Sequence, residues 1–229
     1  MWQGLRAELY PLGLEIVTVA LDLDSEAARP WIVAAHPEHP SLIDRAHVVD
    51  ELFGIVNVPS GVWINEEGVI VRPPETAYPR RPPFLDRPIP EHATAEQIVR
   101  ITAVKALRID AETYVAALRD WVRSGAASRF ALSPDEVLRR SQPRPIAEAT
   151  AAAHFELAQH LHRLGRTEAA VAHFRTAHRL QPANWTYKRQ AWSLVDPAQG
   201  PNAVYEGDWL SDVQKIGAEN YYPPLEMER

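Results

Sequence analysis

Residues 55–71 read IVNVPSGVWINEEGVIV, and this stretch decides the fold. Two runs rich in β-branched and aromatic residues flank the turn NEEG at residues 65–68. A glycine-containing loop of this length between two such runs is typical of an antiparallel β-hairpin. The stretch therefore predicts two paired strands, with Pro59 at the entry to the first.

The chain before the hairpin alternates between strand and helix patterns. Residues 14–21 (LEIVTVAL) are almost continuously apolar, which suits a strand covered on both faces in a parallel sheet. The other predicted elements are a helix over 2–10, a helix over 26–35 with Ser25 as its N-cap, a short apolar segment at 41–44, and a helix over 48–53 that Gly54 ends.

The chain after the hairpin is mostly helical. Residues 72–90 are rich in proline and predict an extended loop. A long helix or a helix pair is predicted over 94–123, followed by helices over 133–140 and from 146 onward. We therefore predict an α/β domain over residues 1–125 and an all-helical region with an extended C-terminal tail over 126–229.

Three segments of the first half together resemble thioredoxin-like thiol-disulfide oxidoreductases of the TlpA and ResA type. They are residues 12–22 (LGLEIVTVALD), 50–60 (DELFGIVNVPS) and 62–71 (VWINEEGVIV). The resemblance implies a thioredoxin-like sheet and a cis peptide bond at Pro59, where the alternative is an ordinary trans turn proline. It also implies that Val58, Pro59 and Ser60 contact an extended peptide substrate, with the Val58 backbone presented to it.

The redox segment of that family has no counterpart in this chain. In the family, a central strand and the start of a helix with Cys-x-x-Cys, or a selenium variant, precede the strand that 14–21 matches. This sequence begins partway along that helix, so the expected sheet lacks its first strand. Because the chain has no cysteine, it has no thiolate to attack a disulfide. No catalytic residue is carried over, and no thiol-disulfide activity is expected.

Two functions are compatible with these observations. The first is a redox-silent thioredoxin-like protein that acts as a binding or scaffold module for a protein or peptide. The alternative is the body of a thiol-disulfide oxidoreductase or antioxidant protein whose Cys- or Sec-containing segment lies upstream of Met1. A missing strand leaves pairing edges on both sides of a gap. Either a partner chain or another segment fills this gap, or the sheet is rearranged, and a homodimer is expected.

Residues 150–184 resemble one tetratricopeptide repeat. Small residues at Ala158, Ala170 and Ala177 let two antiparallel helices approach closely, and Gly165 makes the turn between them. A single repeat cannot bury its own face, so neighbouring helices must complete it. The pattern is compatible with a peptide-binding surface or with a packing unit that covers the α/β domain.

Composition excludes several functional classes. The formal net charge is -6 with scattered basic residues, which argues against nucleic-acid and anionic-membrane partners. No apolar run has the length of a membrane span and the first residues do not form a secretion signal, so a cytoplasmic protein is expected. The absence of cysteine excludes disulfides and cysteine-ligated metals.

Other candidate sites lack a recognised pattern. The nine histidines form no metal-ligand motif, although His173 and His178 could approach His154 across the predicted helix pair. Asp22, Asp24 and Asp44 lie at strand ends, where helix capping explains them. Nucleophilic catalysis by Ser60 would need a neighbouring general base, and nothing in the sequence marks His47 as that base. No cofactor and no metal are therefore expected.

Overall fold

The computed structural model describes residues 2–227 and has a mixed α/β architecture. Its helices are α1 (Trp2–Leu9), α2 (Ser25–Ala35), α3 (Val48–Phe53), α4 (Ala95–Lys105), α5 (Ala111–Ser124), α6 (Pro134–Arg140), α7 (Ile146–Arg163), α8 (Thr167–Leu180), α9 (Trp185–Ser193) and α10 (Trp209–Ile216). Its strands are β1 (Thr18–Leu21), β2 (Ser41–Asp44), β3 (Ser60–Ile64) and β4 (Ile70–Thr76).

The strands form two separate pairs. β1 and β2 are parallel and are connected through α2, whereas β3 and β4 form the antiparallel hairpin that the sequence predicts. Within residues 2–227 no further strand joins either pair, and no ladder connects one pair to the other. The sheet expected from the sequence is therefore interrupted.

Two element boundaries in the first half differ from those predicted. β1 begins at Thr18 rather than at residue 14, because the preceding residues pair with no strand in the described part of the chain. The N-cap of α2 is Asp24 rather than Ser25, since the Asp24 carboxylate accepts a hydrogen bond from the amide of Glu26. By contrast, α3 ends at Gly54 as predicted, in the left-handed conformation that favours glycine.

The predicted loop over 72–90 is wrong at its start, because β4 continues to Thr76. Pro73 and Pro74 lie inside this strand, where the register shifts between the pairs Gly61–Glu75 and Trp63–Arg72. A β-bulge leaves residues without a ladder partner, so it tolerates proline within a strand. The proline content of this segment therefore marks an irregular strand followed by a loop.

The second half is built on the helix pair α7 and α8. Gly165, with φ of +72°, makes the turn between them, and Ala158, Ala170 and Ala177 are all buried between neighbouring helices. The Phe155 and Phe174 rings meet edge to face at 5.6 Å. A close helical hairpin therefore forms where small residues allow it, and α9 packs against α8.

The two hydrophobic cores exchange residues across the predicted domain boundary at residue 125. Val104 and Leu107, at the end of α4 and just after it, pack against the core of α7 to α10. Phe130 and Met227, from the second half, pack with Trp63 in the core that the hairpin shares with α1 and α5. Each half of the chain thus contributes side chains to the hydrophobic core of the other half.

The C-terminal tail is only partly extended. Residues 209–216 form α10, whose N-cap is Asp208, so the prediction of an extended C-terminal tail is wrong for that stretch. A 3₁₀ turn over Ala218–Asn220 follows, and the chain then runs without regular structure to Met227. We call residues 217–227 the C-terminal strap; residues 228 and 229 lie outside the described part of the chain.

Gly61 in β3 is packed too closely to accept a side chain. A Cβ atom there would collide with the hydroxyl of Tyr114 and lie 3.0 Å from the Cβ of Ala77. That hydroxyl is fixed, because it accepts a hydrogen bond of 3.0 Å from the indole of Trp63. Gly61→Ala should therefore lower the free energy of unfolding by about 2 kcal/mol, as measured by urea denaturation.

Gly4→Ala provides the matched control for this prediction. Gly4 lies in α1 with no heavy atom within 4 Å of its added Cβ, so alanine there should leave stability unchanged or raise it by up to about 1 kcal/mol. Equal stability of Gly61→Ala and the wild type would contradict the close packing of β3 against α5.

Candidate functional site

The predicted peptide-contact residues Val58, Pro59 and Ser60 lie together at the entry to β3. The Val58–Pro59 peptide bond is cis, as the family resemblance predicts. The Ser60 hydroxyl donates a hydrogen bond of 2.7 Å to the carbonyl of Asn57. Ser60 is therefore engaged in the local turn.

The backbone of Val58 already has partners within the chain. Its amide donates to the side-chain oxygen of Asn57 at 2.9 Å, and its carbonyl accepts from the hydroxyl of Tyr222 at 3.0 Å. The hydroxyl of Tyr78 in turn donates to the Tyr222 oxygen at 3.0 Å. Burial raises the pKa of Tyr222, so its phenol remains protonated and able to donate. A ligand that uses the Val58 carbonyl must displace this hydroxyl.

The C-terminal strap is held in its middle and near its C-terminal end. The side-chain amide of Asn57 donates to the carbonyl of Tyr221 at 3.0 Å, and the Tyr221 ring meets Trp185 at a centroid distance of 4.6 Å. Further along, the guanidinium of Arg72, almost fully buried, donates to the carbonyl of Glu226 at 2.8 Å. The strap thus links the start of β3 to the middle of β4.

β1 has a hydrogen-bonded neighbour on one edge only. The amide of Thr18 donates to the Pro40 carbonyl, and that of Asp22 donates to the Asp44 carbonyl. In a parallel strand alternate residues point to opposite edges, so the backbone groups of Val19 and Leu21 point away from β2. No strand in residues 2–227 pairs with that edge.

β3 has a similar open edge. The Pro59 carbonyl accepts from the amide of Ala77, and the amide of Asn65 donates to Val69, so the odd-numbered residues face β4. The backbone groups of Val62 therefore point to the opposite edge, where the described chain supplies no strand. β1 and β3 thus each have an outer edge that pairs with no strand of residues 2–227.

Gln190 of α9 connects the first half to the second. Its side-chain oxygen accepts hydrogen bonds from the amide of Leu23, just after β1, at 3.0 Å and from the His47 ring at 2.9 Å. The first two amides of α9, those of Trp185 and Thr186, both donate to the carbonyl of Val56. The N-terminus and middle of α9 therefore hold both strand pairs near their ends.

Both ring nitrogens of His47 face hydrogen-bond acceptors. Its Nε2 faces the Gln190 oxygen, and its Nδ1 faces the Asp50 carboxylate at 2.9 Å, so both neighbours are acceptors. Burial lowers the pKa of His47, but the hydrogen bond and the charge of Asp50 outweigh it and raise the pKa above its ordinary value of 6.5. This arrangement favours the protonated form of the buried His47 ring beside Asp50.

The other candidates from the sequence have structural roles. Asp24 caps α2, and the Asp44 carboxylate accepts from the amides of Ala46 and Val49. The ring of His178 lies 3.4 Å from the Tyr187 carbonyl, and burial lowers its pKa to about 4. His154 and His173 do come together, as the spacing allows.

A cleft of about 710 Å³ separates α3 and β4 from the α6–α7 loop and the strap. Its charged side chains are mostly paired with one another, as Glu51 is with Arg144 and Arg140 with Glu226. Burial raises the pKa of Glu75 at its wall, although Arg72 lies 2.8 Å away. The cleft has the volume of a small-molecule site, but its polar groups serve the contact between the halves.

Sequence reasoning did not identify Gln190 or the hydroxyl of Tyr222. Gln190 lies in the predicted helical region, and Tyr222 lies in the predicted C-terminal tail. Neither signal indicates which backbone group the side chain reaches, because the partners are 167 and 164 residues away.

Comparison with protein-family models, curated proteins and solved structures finds no match to this chain. Among the helices of residues 2–227, none is both long and apolar enough to cross a membrane. The fold class that the structure defines is thus mixed α/β, and the function rests on the site itself.

Asp50→Asn should remove the pH-dependent stabilisation that the His47–Asp50 pair provides. Because the folded pKa of His47 is raised, the stabilisation it provides is fully present below the unfolded value of about 6.5 and is lost as the pH rises through the folded pKa. We expect the free energy of unfolding of Asp50→Asn to be about 2 kcal/mol below that of the wild type at about pH 6. This difference should become smaller as the pH rises. Urea denaturation across this pH range measures it.

Asp86→Asn is the control, because Asp86 pairs with Arg81 in solvent and should contribute less than about 1 kcal/mol at any pH. A loss for Asp50→Asn that is the same at every pH would show that His47 is not protonated in the folded protein.

Proposed function

We propose that this chain is a thioredoxin-like binding module without thiol chemistry of its own. Its ligand is an extended protein segment that adds as a strand to the open edges of β1 and β3. Each strand of a two-stranded sheet has one outer edge, and the observation that carries this proposal is that the outer edges of β1 and β3 have no strand partner within residues 2–227. Backbone hydrogen bonds along such an edge supply affinity, and alternate side chains supply specificity.

The composition of the two strands supports this proposal. β1 reads TVAL and β3 reads SGVWI, so neither contains a charged residue or a proline within its bounds. Monomeric proteins usually protect open edges with charges, prolines or covering elements. Strands without such protection favour pairing with another segment.

The surface of the β1–α2–β2 unit also favours an apolar partner. No residue of these three elements is buried. Trp31 on α2 is 79% exposed, and Val17 and Leu42 are each 54% exposed. Exposed apolar side chains on neighbouring elements favour contact with another protein segment. The proposed ligand therefore carries β-branched or other apolar side chains.

The helical half acts as the support of this module. We propose that α7 and α8 form one tetratricopeptide-like unit, completed by α9, whose role is packing. Gln190 and the first turn of α9 hold the ends of both strand pairs. A rigid support of this kind keeps the two open edges in place while a ligand is absent.

A labelled Thr-Val hexapeptide tests the strand-addition proposal. We expect binding by fluorescence anisotropy, with NMR shift changes at the amides of Val19 and Val62. Val62→Pro removes the outward-facing amide without breaking the β3–β4 ladder, so it should weaken binding by about fivefold. Val62→Thr keeps the amide and should bind like the wild type. Equal affinity of the two variants would contradict strand addition, as would tight binding of an N-methylated peptide.

Tyr222→Phe should strengthen binding of the same peptide. The variant keeps the ring but removes the hydroxyl that occupies the Val58 carbonyl. Because one neutral hydrogen bond contributes about 1 kcal/mol, we expect the dissociation constant to fall by about fivefold. An unchanged affinity would show that the peptide does not bind the Val58 carbonyl. The Val62 variants test binding at the edge of β3 independently.

A second candidate function is the body of a thiol-disulfide oxidoreductase or antioxidant protein. The open edges of β1 and β3 favour it, because the resemblance implies a missing central strand that would leave pairing edges on both sides of a gap. Under this proposal the strand comes from an upstream segment with Cys or Sec.

The upstream coding DNA distinguishes the two functions. An in-frame Cys-x-x-Cys segment, or an in-frame UGA before a cysteine codon, would favour the oxidoreductase. Its absence would favour the binding module. Insulin reduction by the chain itself should be absent under both proposals. Sedimentation equilibrium tests the expected homodimer, which a stable monomer at all concentrations would contradict.

A further inference from the structure

The rings of His154 on α7 and His173 on α8 face one another across the helix pair. Their Nδ1 atoms are 2.7 Å apart, and the ring centroids are separated by 4.9 Å with an interplanar angle of 32°. Both side chains are only partly buried, so solvent reaches the pair. Without a bound ion, one Nδ1 donates a proton to the other, which requires opposite tautomers.

The buried core between α7 and α8 supports these two rings. Phe155 and Phe174, the residues that follow the two histidines, are each 1% exposed and pack edge to face. Ala158 and Ala170 are buried nearby and allow close helix packing. The two imidazoles are therefore brought together by a rigid core.

We propose that His154 and His173 form a two-histidine site for a divalent transition-metal ion such as Zn²⁺ or Ni²⁺. Two Nδ1 ligands of one tetrahedral ion with bonds of about 2.0 Å lie about 3.3 Å apart, so the observed pair needs to open by only about 0.6 Å. The ion takes the place of the proton that lies between the two Nδ1 atoms and binds the lone pair of each. Imidazole is a preferred ligand of this class of metal.

Solvent completes the coordination sphere of this site. Within residues 2–227 no group of three or more His, Cys, Asp or Glu side chains is arranged to hold a metal. The site therefore has two protein ligands and open positions for water. A site of this kind binds more weakly than a closed structural site, and its ion remains available to a further ligand.

Isothermal titration calorimetry of the full chain with Zn²⁺ and Ni²⁺ tests this proposal. We expect one ion per chain, reversed by a chelator. His154→Gln and His173→Gln should each weaken that binding at least about tenfold, while circular dichroism confirms that both variants fold. His162→Gln, on the same helix, should leave the affinity unchanged.

Two results would overturn the site. The first is the absence of binding by the wild type, and the second is equal affinity of the wild type and both variants, which would place the ion on other histidines. Because the two ligand variants lie on different helices, a folding defect in one leaves the other as a test.

Discussion

The backbone of β1 and β3 is hydrogen-bonded to a strand on one edge only, and this constraint shapes the rest of the structure. Two-stranded sheets are marginal by themselves, so each pair needs support from another element. α9 and the C-terminal strap provide it. Gln190 holds the residue after β1, the first amides of α9 hold Val56, and Tyr222 holds Val58. A continuous sheet would have supplied these connections through its central strands.

The buried His47 ring also connects the two halves of the chain. Its ring donates to Asp50 in the first half and to Gln190 in the second. Breaking a buried pair leaves an uncompensated group, so each partner constrains the other two. The connection between the halves is thus polar at Gln190 and His47, and apolar where the two cores exchange side chains. The same contacts fix the position of the open strand edges.

Local patterns in the sequence predict much of this fold. The hairpin, the end of α3 at Gly54, the α4–α5 pair and the close packing of α7 with α8 all depend on residues near one another in the chain. The course of β4 through Pro73 and Pro74 was not predictable, because proline usually ends a strand and only the bulge accommodates it. α10 within the tail was missed because it is short and lies among loop residues.

The candidate site around Val58 and Gln190 was only partly predictable, because local sequence patterns do not indicate contacts between residues that are distant in the chain. A cis bond at Pro59 follows from a family resemblance, and it is present. The bonds from Gln190 to Leu23 and from Tyr222 to Val58 join residues more than 160 positions apart, and no periodicity encodes them. Likewise, His154 and His173 are 19 residues apart, and only the packing of α7 on α8 brings their rings together.

Amide hydrogen exchange of the peptide-free protein, resolved by residue and measured at a concentration where sedimentation shows a monomer, tests the open edges most directly. Thr18 and Asp22, which donate to the β2 side, should be protected, whereas Val19, Leu21 and Val62 should exchange quickly. This alternation along one strand is the result that the account predicts. Protection of Val19 and Val62 equal to that of Thr18 would contradict it, because a strand would then already cover both edges.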